Sequence, residues 1–87
     1  MTDTVNAIIT EALEAEKRYG PYRSTHEAFG VLAEEVAELL DAIRSNSPGS
    51  VCREAIQVAA VAMRLADQCD AMVGLDSEFS DRSGFTR

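Results

Sequence analysis

The chain has 87 residues and a formal net charge of −7, which is room for one domain and the wrong sign for a protein that reads nucleic-acid phosphates with a Lys/Arg patch. Two cysteines, Cys52 and Cys69, and a single histidine argue against a disulfide scaffold and against a zinc site. No run reaches the roughly 18 apolar residues of a membrane span, and the start, MTDTVNAIIT, lacks the basic-then-apolar order of a secretion signal, so a soluble, cytoplasmic protein with no membrane or nucleic-acid partner is expected.

The first expected helix covers about Thr4 to Arg18, with Val5, Ile8, Ile9, Ala12 and Leu13 as its apolar stripe. Gly20-Pro21 stops it. The second starts near Ser24 or Thr25, where Ser24 and Glu27 have the spacing of a capping box. Its apolar residues are Phe29, Leu32, Ala33, Val36, Leu39, Leu40 and Ile43, the clearest amphipathic pattern in the chain, and Phe29 reads as core. The turn residues Ser45 to Gly49 end it.

The third expected helix begins between Ser47 and Ser50 and runs to about Met72, with Ser47-Pro48 suited to its cap and first position. Val58 to Met63 is apolar all round, the mark of a buried helix. Two companion helices cannot cover it fully, so a homo-oligomer, dimer or tetramer, is expected, with a buried helix in a monomeric three-helix bundle as the alternative. Residues 1–73 form the domain. Residues 74–87 make a polar tail whose large apolar anchors are Phe79 and Phe85.

Acids crowd the second helix at Glu27, Glu34, Glu35, Glu38 and Asp41. Glu34 and Glu38 are neighbours one turn apart, as are Glu35 and Glu38. A solvated acidic face is the plain reading. Such a face normally sets Lys or Arg one turn from its acids, yet here only Asp41 has one, Arg44. Like charges at this spacing cost about 0.2–0.5 kcal/mol per pair, and a hard divalent cation would turn that repulsion into coordination. Glu54 and Gln57 stand one turn apart on the otherwise apolar third helix, where a buried Glu needs a partner or a metal. A dipole-favouring acid near the helix start explains Glu54 equally. In an antiparallel hairpin Glu54, near the start of helix three, lies closer to the end of helix two. Arg53, Arg64 and Gln68 join the polar edge. Lys17, Arg18, Arg23 and Tyr22, around the first connector, read as surface residues or as contacts to phosphate and base, with Tyr19 a further stacking candidate. His26 reads as a surface or capping residue.

Glu34-Glu35-Val36-Ala37-Glu38, a fifteen-residue gap and then Glu54-Ala55-Ile56-Gln57 resemble the two half-motifs, EExxE and ExxD, of the all-α MazG-like nucleoside triphosphate pyrophosphohydrolases, and the flanking text resembles small phage-type members. The resemblance spans about Ser24 to Asp67. It implies an antiparallel helical bundle completed by oligomerisation, with pockets built by more than one subunit. It implies Mg²⁺ (or Mn²⁺) held by Glu34, Glu35, Glu38, Glu54 and Gln57, with Glu34 and Glu38 catalytic. The reaction implied is hydrolysis of a nucleoside triphosphate to monophosphate and pyrophosphate, with a lean to a purine deoxynucleotide. A phage origin would place it in the host cytoplasm. Gln57 departs from the pattern, which has Asp there, and a carboxamide brings no charge. Asp67 is too far along the helix to replace it. The departure supports the alternative of a non-catalytic helical module that kept the fold. A phosphoribosyl-ATP pyrophosphatase and a four-helix partner protein with an acidic docking face are the other readings.

Overall fold

The computed structural model describes residues 1–73, so the expectation for the 74–87 tail, with Phe79 and Phe85, lies outside the described residues. Every element among them is an α-helix: α1 Thr2–Tyr19, α2 Thr25–Arg44 and α3 Pro48–Val73. Among the described residues no helix is long and apolar enough to cross a membrane.

The boundaries follow from local chemistry. Gly20, at φ 73°, ends α1, and its N–H donates to the Glu16 carbonyl. That left-handed backbone suits glycine, which has no Cβ to strain it. At the start of α2 the Ser24 hydroxyl accepts the Glu27 N–H at 3.0 Å. The Glu27 carboxylate reaches back one residue further than a capping box requires, to the Arg23 N–H at 2.7 Å. Asn46, at φ 55°, turns the chain between α2 and α3, a conformation that asparagine tolerates better than most residues.

α2 and α3 form an antiparallel hairpin. Contacting pairs lie at nearly equal distances from the turn: Ala28 with Val61 in the core, Glu35 with Glu54, and Tyr22 with Gln68 at the open end. α1 packs on α3 as well, so α3 is the shared spine and α1 and α2 scarcely meet. Four of the six buried apolar residues are alanines (Ala12, Ala28, Ala42 and Ala60); the others are Tyr22 and Val61. Small residues let the helices approach closely, but they bury little apolar area each.

The apolar residues of α2 divide between two faces. Ala28, Leu32, Leu39 and Ala42 turn towards α3, whereas Phe29, Val36, Leu40 and Ile43 are exposed. Phe29 is 67% exposed, against its reading as core; it lies about 100° from Ala28 around the helix, and Ala28 is the residue that faces α3. On α3, Ala60 and Val61 are buried while Ala62 and Met63 are exposed, so the all-round apolar stretch is covered on one side only.

Long side chains of α3 hold the first connector. The Gln68 amide accepts the Tyr22 N–H at 2.9 Å and donates to the Tyr22 carbonyl at 2.7 Å. Arg64 donates to Glu16 at 2.9 Å, to the Tyr22 hydroxyl at 3.0 Å and to the Gly20 carbonyl at 2.8 Å. Its guanidinium also lies 4.4 Å from the centre of the Tyr22 ring. These two residues therefore face α1 and the connector rather than a polar edge beside Glu54. Gln68→Leu keeps the volume and strands both Tyr22 backbone groups. A loss of about 1–3 kcal/mol is expected, read as a lower urea midpoint at fixed chain concentration.

Candidate metal centre

Glu35 and Glu38 on α2 and Glu54 on α3 each offer a carboxylate oxygen, and the three oxygens lie within 4.8 Å of one another. The hairpin register brings them together. Glu35 is on the side of α2 that faces α3, Glu38 follows at i+3 on the flank, and Glu54 meets them from the first half of α3. Glu54 thus stands beside Glu35 and Glu38 in the second half of α2.

The electrostatics are those of anions without a counter-charge. Among the described residues no member of the cluster has a Lys or Arg within ion-pair distance; the ion pair present is Arg64 with Glu16. Burial, first, and then the neighbouring Glu38, Glu54 and Glu34 push the Glu35 carboxyl above the ordinary carboxylate range. One of its oxygens, Oε1, is buried with no hydrogen-bond partner. An orphaned carboxylate oxygen beside two further carboxylates fits a hard divalent cation. Mg²⁺ binds oxygens at about 2.0–2.1 Å in an octahedron, so adjacent ligands stand about 2.9 Å apart, and holding one would draw these carboxylates together.

Glu34 and Gln57 are not in this triad. They line the adjoining cleft next to Glu35. The cleft has a volume of about 640 Å³ and is walled by α1, the first connector, α2 and α3. Arg18, Tyr19, Tyr22 and Arg23 also line it, as do the acids Glu11 and Glu27, and Lys17 does not. Tyr22 is only 8% exposed and one face of its ring carries Arg64. It is a wall of the cleft and not an open stacking platform. Burial, partly opposed by Arg64, raises its phenol above the usual value, so it stays neutral. Tyr19, 71% exposed, is the freer ring. His26 is exposed, and Asp67 lines a separate groove between α1 and α3. Spacing gave no sign of Glu16, Gly20 and Arg64 as one unit, because they meet across more than forty residues of chain.

Comparison of the chain with protein-family models, with curated proteins and with solved structures finds no match.

The raised Glu35 pKa fixes a sign. In the unfolded chain the group titrates near its ordinary value of 4.5. Its protonated form therefore favours the metal-free fold at low pH, and that contribution is lost as pH rises through the higher folded value. Glu35→Gln is expected to raise the metal-free melting temperature by a few degrees at pH 7 and to leave it unchanged near pH 4. Thermal scans in EDTA at the two pH values check this.

Proposed function

We propose that the chain is a metal-dependent nucleoside triphosphate pyrophosphohydrolase, an all-α protein of the MazG-like kind that works as a homo-oligomer. The observation that carries the reading is the Glu35–Glu38–Glu54 triad, with its orphaned oxygen, at the edge of a cleft that Arg18 and Arg23 also line, together with Glu11 and Glu27. A carboxylate triad for a cation and guanidinium groups in the same cleft suit a metal-bound polyphosphate. The two half-motifs on α2 and α3 add the reaction class by resemblance.

Glu35, Glu38 and Glu54 would hold Mg²⁺ or Mn²⁺, with Gln57 as a neutral oxygen donor beside them. The metal, when bound, supplies charge neutralisation for the triphosphate and acidifies a bound water. Glu34, lining the cleft outside the triad, is placed to orient the attacking water and take its proton. The water oxygen bonds to the α-phosphorus, the bond from that phosphorus to the bridging oxygen breaks, and pyrophosphate leaves with the electron pair. Arg18 and Arg23 meet the phosphates as charge-assisted donors. The Tyr22 wall, fixed by Arg64 and Gln68, bounds the cleft, and Tyr19 offers a ring face to the base. The lean to a purine deoxynucleotide rests on the phage-type resemblance. A non-catalytic module remains the second reading, favoured by Gln57.

The test is pyrophosphate release from a panel of ribo- and deoxynucleoside triphosphates with Mg²⁺, with Mn²⁺ and with EDTA. Metal-dependent release is expected. Glu38→Ala is expected to lower it to below roughly a hundredth, since even outer partners of metal ligands are worth about 10–100-fold. No release from a folded protein across the panel would overturn the hydrolase reading. Gln57→Asp adds a charge at the departing position and is expected to lower the Mg²⁺ concentration giving half-maximal rate or half-maximal thermal stabilisation.

A further inference from the structure

Tyr22 and Arg64 form a pair whose hydrogen-bonding capacity is not used up inside the protein. The Tyr22 hydroxyl oxygen accepts from the Arg64 guanidinium at 3.0 Å, and that guanidinium lies 4.4 Å from the ring centre. A phenol donates as well as accepts, yet among the described residues no group accepts the Tyr22 proton. The positive guanidinium turns that proton away from itself. Arg64 borders two hollows. Tyr22 lines the cleft beside the triad and does not line the groove between α1 and α3. Glu27 and Glu35, which line the same cleft, are near enough to act on the phenol's charge.

We propose that the Tyr22 hydroxyl, turned by Arg64, donates a hydrogen bond to a phosphate oxygen of the ligand held in the cleft. This rests on the polyphosphate ligand of the proposed function and adds a contact to it. Arg64 is a positioning residue here, because all three of its guanidinium nitrogens are already engaged within the protein.

The acceptor follows from the charges. A hydroxyl that accepts from a cation donates more strongly, and its strongest partner is an anion. Burial, opposed by Arg64 and then reinforced by the Glu16, Glu27 and Glu35 carboxylates, keeps the proton on the phenol. An anionic ligand strengthens that hold, so the donor survives the arrival of the charge it binds. Arg18 and Arg23 share the cleft with Glu11, Glu27, Glu34 and Glu35, so two cations face four acids. A neutral donor adds attraction for phosphate with no further charge to desolvate. The oxygen is also held in advance. Gln68 bonds both backbone groups of Tyr22, and the residue packs in the core with Ala28 and Val61. Little side-chain freedom is therefore left to lose on binding.

The chain has two tyrosines and no tryptophan, so Tyr19→Phe leaves Tyr22 as its single phenol. The probe is Mg²⁺ with inorganic tripolyphosphate, which has neither sugar nor base. Its binding should move the Tyr22 near-ultraviolet band to longer wavelength, because donating to an anion shifts charge onto the phenol oxygen. By titration calorimetry, Tyr22→Phe should bind the probe about tenfold more weakly than the unsubstituted chain, with unchanged helical circular dichroism. A merely structural hydroxyl would change the melting temperature and leave band and affinity alone. An unmoved band with the probe bound would overturn the proposal, and that result decides by itself if Tyr22→Phe does not fold. A folded chain that does not bind the probe would overturn it too. Weakened binding of nucleoside triphosphates with none for the probe would place the acceptor on sugar or base and overturn the phosphate assignment. Pyrophosphate release, measured alongside, separates the two readings: where release persists, the Tyr22 contact falls alone, and where probe binding and release are both lacking, the hydrolase falls with it.

Discussion

The Arg64 guanidinium donates to three parts of the chain at once: the Glu16 carboxylate on α1, and the Gly20 carbonyl and the Tyr22 hydroxyl in the connector. Only 7% of its side chain is exposed, so its charge is largely desolvated and each of these acceptors matters more than it would in water. α1 and α2 scarcely touch, and both take their positions from α3. Arg64 and, one turn on, Gln68 are where that positioning becomes specific. Alanine-on-alanine contacts let helices slide at low cost, whereas a guanidinium with three fixed acceptors does not. By holding the connector on α3, Arg64 and Gln68 fix Tyr22 as one wall of the cleft.

The same hairpin sets three carboxylates against one another with no base to balance them. For a metal-free monomer this is a defect: Glu35 is held above its ordinary pKa and keeps one oxygen without a partner. Natural helices avoid this arrangement by placing bases one turn from their acids, as α2 does at Asp41 and Arg44. The exception falls where α2 faces α3 and where a cleft opens beside it. Repulsion retained at a site of close approach is the physical ground for reading a cation there, and the cation is what would connect an acidic chain to a polyphosphate.

Much of this was legible in the sequence because it depends on near neighbours. The three helices, the Ser24 cap, the Pro48 start and the crowding of Glu34, Glu35 and Glu38 are all set within a turn or two. The pairing of Glu35 with Glu54 required only the hairpin, although its register had to come from the structure. What was not legible was which apolar face of α2 meets α3. Phe29 and Ala28 are adjacent, both apolar, and about 100° apart; hydropathy favours burying Phe29, yet Ala28 is the one enclosed. Periodicity detects an apolar side and merges two stripes into one when they adjoin. The role of Tyr22 was hidden for a different reason, since its partners Arg64 and Gln68 are distant in sequence and carry no spacing signal.

The two stripes give α2 its place in the molecule. One turns Ala28, Leu32, Leu39 and Ala42 to α3 and carries Glu35 with them; the other turns Phe29, Val36, Leu40 and Ile43 outward. Glu35 and Val36 are consecutive residues, so the helix turns an acid of the triad to one side and an exposed apolar side chain to another through one peptide unit. Coordination depends on oxygens held to within a few tenths of an ångström, and here they are supplied by two helices whose shared core is made largely of small side chains. The helix thus carries two adjoining apolar stripes with uncompensated acids on the rest of its circumference, a composition poorly suited to a free-standing three-helix protein.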